Sequence, residues 1–255
     1  MSLTAAFGQY SFTLVDLNAQ ELWIPPETLR TMTHCTQNNG GRLSVNVERA
    51  HFEWMRARLE SGMHFIDVGA ATGAICLPLA KEFGSSISIT AFEPARPARA
   101  LLEATVARNG LAVEILPMAC SDHAGRAPFF EWPNDEGGQH PWLPEGATLT
   151  NPEFVKTIES ALSVKAIETT VELTTLDAQF ASLSPPARAV VKIDVEGHEA
   201  KVLAGGLELL ARARPPLAID IHVEGSGTTE NAVRDILAPL GYQFEKLGHV
   251  LVCSH

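Results

Sequence analysis

The chain has 255 residues, 45% of them hydrophobic, and a formal net charge of −11, which leaves room for one large α/β domain with an extension but hardly for two full domains. The acid surplus argues against nucleic acid and against an anionic membrane surface as partners, because both attract basic patches, and favours neutral or cationic small molecules. Cys35, Cys76, Cys120 and Cys253 form no CxxC pair, no segment has the pattern of a signal peptide, and no run approaches 18 apolar residues, so a reduced, cytoplasmic protein is expected.

Residues 1–45 are rich in turn formers and lack clean periodicity, so they read as an N-terminal extension packed on the core or over its mouth. From about Gly62, short β-rich runs alternate with helical stretches, the pattern of a parallel sheet covered on both faces. "MHFIDVG" is the first core strand and "ATGAICLPLAKEFG" the helix behind it. "SISITAFEP" is the second strand, followed by the helix "ARPARALLEATVARNG", which Asn109-Gly110 stops. "AVEILPMA" is the third strand, and "APFFEW" starts a hairpin. Residues 133–166, with Gly and Pro before a helical stretch, form an insertion of the kind that often touches substrate. "ARAVVKIDVE" is strand four, "EAKVLAGGLELLARA" a short helix and "PLAIDIHVE" strand five. A helix over about 229–239 and a closing hairpin, "YQFEKL" with "HVLVCSH", complete the chain. The expected fold is a doubly wound, mostly parallel Rossmann-like α/β sheet ending in an antiparallel hairpin.

Two motifs carry chemistry. "DVGAATGA" (Asp67 to Ala74) stands at a strand-to-helix turn, where backbone N–H groups and a helix dipole favour an anionic ligand group. A dinucleotide fingerprint would need glycine at Ala71, whose methyl group stands where a pyrophosphate must approach, so an NAD-dependent oxidoreductase is the weaker alternative. Glu93 ends the second strand, where a carboxylate can accept hydrogen bonds from both hydroxyls of a ribose. The second motif, "KIDVEGHEAKVLAGG" (Lys192 to Gly206), crowds Lys192, Asp194, Glu196 and His198 at the end of a buried strand. Burying unpaired charge costs several kcal/mol, so such a cluster marks a site or a tight ion pair. Glu196 and Glu199 also suit a helix N-terminus, where acids act simply as caps.

The glycine turn with an acid closing the next strand resembles the cofactor site of class I S-adenosylmethionine-dependent methyltransferases. That resemblance implies that Gly69, Ala70 and Gly73 admit the methionine end of the cofactor, that Asp67 orients its ammonium group and that Glu93 holds the ribose. Ser121 and Asp122, in "ACSDHAG", would lie beside the adenine. "KIDVEGHE", "FIDVGAATG", "ACSDHAG" and the "TLD" at Thr175 to Asp177 together resemble the FkbM family of methyltransferases, over roughly residues 63–223. Residues 46–255 would then be the methyltransferase domain. The resemblance implies O-methylation of a sugar, polyketide or other secondary metabolite. N-methylation of a small amine stays open beside it, as does an inactive binding protein on the same fold.

An alcohol acceptor must be aligned with the S–methyl bond and must lose its proton. In strand five, alternation puts Asp220 and His222 on one face. Either a histidine, His222 or His198, is the base with Asp194 orienting the acceptor, or Asp194 and Asp220 bind Mg²⁺ and the ion acidifies the hydroxyl. Glu196 is a further candidate, Lys192 is expected to pair with Asp194, and Trp132 and Trp142 would line an acceptor pocket or pack the insertion. The remaining histidines, His249 among them, show no metal-ligand spacing. Oligomeric state is open, a homodimer included.

Overall fold

The structure is a computed structural model, and it describes residues 4–7, 9–32, 36–39, 42–132, 149, 155–156, 159–160, 165–183, 188–224 and 227–255. The N-terminal segment contributes strands β1 (Thr4–Phe7), β2 (Tyr10–Leu17), β3 (Gln20–Ile24), β4 (Thr36–Asn39) and β5 (Arg42–Val45), with helices α1 (Pro26–Thr31) and α2 (Arg49–Arg56). The core continues with β6 (His64–Val68), α3 (Cys76–Phe83), β7 (Ser88–Phe92), α4 (Arg96–Asn109), β8 (Glu114–Leu116), β9 (Met118–Cys120), β10 (Gly125–Glu131), β11 (Ile167–Thr174) and α5 (Leu176–Gln179). It ends with β12 (Ala189–Ile193), α6 (Glu199–Ala204), α7 (Leu207–Ala213), β13 (Leu217–Asp220), β14 (Val223–Glu224), β15 (Gly227–Thr228), α8 (Glu230–Leu237), β16 (Gln243–Leu247) and β17 (Val250–Ser254).

Seven strands build the main sheet in the order β16-β17-β13-β12-β6-β7-β8. β13, β12, β6, β7 and β8 run parallel, whereas β17 and β16 are antiparallel, as a closing hairpin requires. The chain winds outward from β6 in one direction and from β12 in the other, so a switch point falls between these two strands, and ligands bind beyond the carboxyl ends of strands at such points. β12 is buried at all five positions, the signature of a parallel strand covered on both faces. Its single charge, Lys192, lies in register with Asp67 on β6, so these two buried charged side chains are neighbours.

Three elements differ from the sequence reading. "AVEILPMA" divides at Pro117, which has no N–H to continue the ladder; β8 stays in the main sheet while β9 pairs in parallel with β11 in a separate sheet, β10-β11-β9. The helix "EAKVLAGGLELLARA" is two helices, α6 and α7, broken at Gly205–Gly206. A Cβ on Gly205 would lie 1.9 Å from the Ser121 carbonyl oxygen, so this break is where the chain passes against the turn after β9. Strand five ends at Asp220, so His222 is placed by the loop that follows rather than by strand alternation.

The segment read as irregular is a five-stranded sheet, β1-β2-β5-β4 with β3 on the far side of β2. Its buried Val15, Leu17, Leu22, Ile24 and Val45 share one apolar cluster with Phe52, Phe65, Leu77 and Val190. Residues 133–148 and most of 150–164, including Trp142, lie outside the described residues. Trp132 is fully buried against Val155 and packs the insertion rather than lining a pocket.

Candidate active site

β6 and β12 end side by side, and the turn that follows β6 is built by close approach. The Asp194 N–H donates to the Val68 carbonyl at 3.0 Å. A Cβ on Gly69, whose φ is +77°, would sit 1.8 Å from the Asp194 carbonyl oxygen, so only glycine lets the two strand ends meet. The N–H groups of Gly69 and Ala70 both donate to the Phe92 carbonyl, that of Ala71 donates to Glu93 Oε2 at 2.7 Å and that of Gly73 to the Ala70 carbonyl. These four donors are therefore consumed in shaping the turn, which corrects the expectation that its backbone N–H groups wait for an anion.

Beyond these strand ends lies a cavity of about 470 Å³. Its wall includes Gly69, Ala70, Ala71, Phe92, Glu93 and Met118 together with Glu48, Lys192, Asp194, Glu196, Asp220 and His222. Glu93 is nearly buried, and its second oxygen accepts the Ala95 N–H at 2.7 Å. Burial outweighs both hydrogen bonds and lifts its carboxyl to about 7.

Among the charged groups on this wall Lys192 is the hub. Its Nζ donates to the Gly69 carbonyl at 2.8 Å and lies 3.2 Å from Asp194 and 3.5 Å from Asp67. Burial pulls its pKa down, but the charges of Asp194 and Asp67 raise it well above the usual lysine value. His222 Nδ1–H donates to Glu199 Oε1 at 2.8 Å, and its Nε2 lies 3.6 Å from Asp194 and 3.5 Å from Glu196. Burial works against the charged ring, yet the Glu199 hydrogen bond and the Glu196 and Asp194 charges raise it to about 9. Glu196, lifted to about 7 by burial with His222 opposing and Asp194 adding to the rise, also has a φ of +53°, strained backbone for a non-glycine residue. Ligand atoms of Asp194, Asp220 and His222 lie within 4.8 Å of one another, as do those of Glu48, Asp220 and His249. Carboxylate oxygens with an imidazole suit a divalent cation.

Several sequence-predicted residues fall off the cavity wall. Asp67 is fully buried beneath the turn, its pKa raised by burial against the pull of Lys192, so it holds the lysine instead of facing an ammonium group. Gly73 meets Leu77 and Leu102, where a Cβ would stand 2.6–2.8 Å from their side chains, and serves packing. Ser121 is buried and shares a 3.0 Å hydrogen bond with His198 Nε2, so His198 looks toward the β9 turn and not toward the acceptor end; its pKa is lowered by burial. Asp122 pairs with Lys201 and His123, which hold its carboxyl well below the usual range. The cavity reaches this segment only through Met118, Ala119 and Cys120.

Glu48 and His249, both on the cavity wall, escaped the sequence reading. Glu48 adopts a φ of +48° and accepts a 2.6 Å hydrogen bond from buried His51. No motif surrounds either residue, and only the packing of the N-terminal sheet and the closing hairpin brings them in.

The profile of the methyltransferase FkbM domain matches residues 67–244. The chain belongs to the FkbM methyltransferase family. The match spans the glycine turn, Glu93 and the Asp194 cluster, and so places this FkbM domain among S-adenosylmethionine-dependent methyltransferases. Among solved structures, an FkbM methyltransferase from Methylobacillus flagellatus is similar, with 15% identity and a TM-score of 0.50; the match covers 77% of this chain and 44% of that one. The chain thus spans under half the length of that protein, and at this identity the likeness speaks for the fold alone. A precorrin-6y C5,15-methyltransferase from Geobacter metallireducens aligns at 10% identity over 82% of this chain and 90% of its own, with a TM-score of 0.44. No curated protein matches. Among the described residues no helix is long and apolar enough to cross a membrane.

Proposed function

We propose that this FkbM domain transfers a methyl group from S-adenosylmethionine to a hydroxyl of a small molecule such as a sugar, a polyketide or another secondary metabolite. The observation that carries the reading is the single cavity whose wall joins Gly69, Ala70, Ala71 and Glu93 to Asp194, Glu196 and His222. Its volume suits a nucleoside-sized ligand together with part of an acceptor. Bound there, the cofactor supplies an electrophilic sulfonium methyl. Glu93 would accept hydrogen bonds from the ribose, and the apolar Phe92, Met118 and Ala119 surfaces would shelter the base.

At the acceptor end, Glu196 takes the hydroxyl proton. Its carboxyl near 7 fits general-base work at neutral pH better than His222, which keeps its proton until about 9. Asp194 orients the acceptor, and the His222 imidazolium stands between the two carboxylates and limits their mutual repulsion. His198, bonded to Ser121, takes no part. The net charge of −11 and the acids on this wall favour a small polar acceptor over nucleic acid.

A second reading rests on Asp194, Asp220 and His222 as a ligand set. There Mg²⁺ would supply Lewis acidity to the acceptor oxygen. Incubation with labelled S-adenosylmethionine and a panel of sugar, polyketide and amine acceptors, with and without EDTA, tests both. Label transfer to a hydroxyl product supports the proposal, and loss of transfer in EDTA with recovery on adding Mg²⁺ supports the ion-assisted form. Label found only on amines, or on no acceptor despite cofactor binding, overturns it.

A further inference from the structure

We infer that Glu199 is a positioning residue, buried behind the cavity wall, whose carboxylate fixes the ring of His222. As a functional role this rests on the reading of His222 as part of the acceptor site; as geometry it stands on its own. Glu199 lies in the first turn of α6 and has no accessible surface, so it never meets a ligand. Capping alone would leave an acid there partly solvated. Instead a single oxygen, Oε1, accepts both the Gly197 N–H at 3.0 Å and His222 Nδ1–H at 2.8 Å, while Oε2 has no hydrogen-bond partner among the described residues. A buried carboxylate in that state needs a fixed side-chain donor opposite it, and His222 Nδ1–H supplies one at 2.8 Å.

The consequence is directional. With Nδ1 tied to Glu199, Nε2 is the nitrogen presented to Asp194 and Glu196, 3.6 and 3.5 Å away. His222 stands two residues past the end of β13, where no sheet ladder holds its side chain, so this bond does what strand geometry does elsewhere in the site. The Gly197 bond ties the same oxygen to the turn that carries Glu196 in its strained conformation. One buried carboxylate therefore sets two of the groups on the acceptor wall. In metal sites a carboxylate that orients a histidine in this manner is worth about 10- to 100-fold in affinity or activity, and the same scale is expected here.

The test compares wild type, Glu199→Gln and Glu199→Ala. Because both hydrogen bonds converge on one oxygen, the glutamine carbonyl can replace it and the alanine cannot. Nitrogen-15 NMR of the histidine side chains should show a hydrogen-bonded, slowly exchanging His222 Nδ1–H in wild type and Glu199→Gln, lost in Glu199→Ala. In turnover, Glu199→Ala should lower kcat about 10- to 100-fold with KM for S-adenosylmethionine unchanged, and Glu199→Gln should restore most of it. An unprotected His222 Nδ1–H in the wild type overturns the inference even if Glu199→Ala fails to fold. So does an unaltered signal, or an unaltered kcat, in folded Glu199→Ala. The NMR arm needs no acceptor, so an enzyme that methylates nothing offered would count against the proposed reaction and leave the positioning result legible.

Discussion

Replacing Glu93 by glutamine puts the cofactor half of the site to its sharpest test. Both carboxylate oxygens are committed to backbone, Oε2 to Ala71 and Oε1 to Ala95, each at 2.7 Å. An amide of the same shape keeps one acceptor and turns its NH₂ toward the other N–H, leaving two donors face to face in a nearly buried place. The unsatisfied buried donor weakens the fold with or without cofactor, whereas loss of the charge-assisted bonds to the ribose costs binding itself about 1–3 kcal/mol. Cofactor affinity should therefore drop by about 1–3 kcal/mol, roughly 5- to 150-fold in Kd. Isothermal titration with S-adenosylhomocysteine at pH 8, with a thermal melt of the same sample to confirm folding, measures it. The pH dependence is a second signature. Burial raises the Glu93 carboxyl to about 7, so wild-type affinity should weaken as pH falls through that value, whereas the variant, neutral at every pH, should show a flat profile there. A folded Glu93→Gln protein with wild-type Kd at pH 8 would remove the ribose assignment.

Asp194→Asn should cut methyl transfer by at least about 100-fold while S-adenosylhomocysteine still binds, measured by single-turnover label transfer; wild-type turnover would take Asp194 out of the reaction. Gly69→Ala forces a methyl group against the Asp194 carbonyl in a left-handed conformation and should destabilise the protein by about 3 kcal/mol or more in denaturant melts. His222, raised from 6.5 to about 9, contributes stability that is fully present below pH 6.5 and is lost as pH climbs to 9. At about 1.4 kcal/mol per pH unit this is about 3 kcal/mol, and His222→Gln should flatten that part of the urea-melt pH profile. Equal slopes in both proteins would contradict the paired histidine.

The main sheet was legible because parallel strands buried on both faces must be apolar runs, and "HFIDV", "SITAF" and "AVVKI" can be little else. Asp194 and Glu93 were legible for the same reason, being acids at the ends of such runs. What misled was local chemistry standing in for tertiary contact. Gly73 belongs to a motif, yet its small size answers to Leu77 and Leu102. His198 sits in the most charged stretch of the chain, but a turn aims it at Ser121. Glu48 comes from 148 residues before Glu196 and no periodicity links them. The β1–β5 sheet was hidden because four of its strands, β1, β3, β4 and β5, have only four or five residues between turns, which left the eight-residue β2 without a visible partner.

The sharing of one apolar cluster between that sheet and the core sets a limit on how the protein can be shortened. Val15, Leu17, Leu22, Ile24 and Val45 are each fully shielded from solvent, and at about 1.5–3 kcal/mol per side chain they amount to roughly 10 kcal/mol, as much as the whole folding stability of a typical protein. A chain trimmed to begin after Val45 would meet water with a raw greasy wall, and a purification that discarded those first residues as a dispensable leader would most often yield precipitate in place of a minimal enzyme.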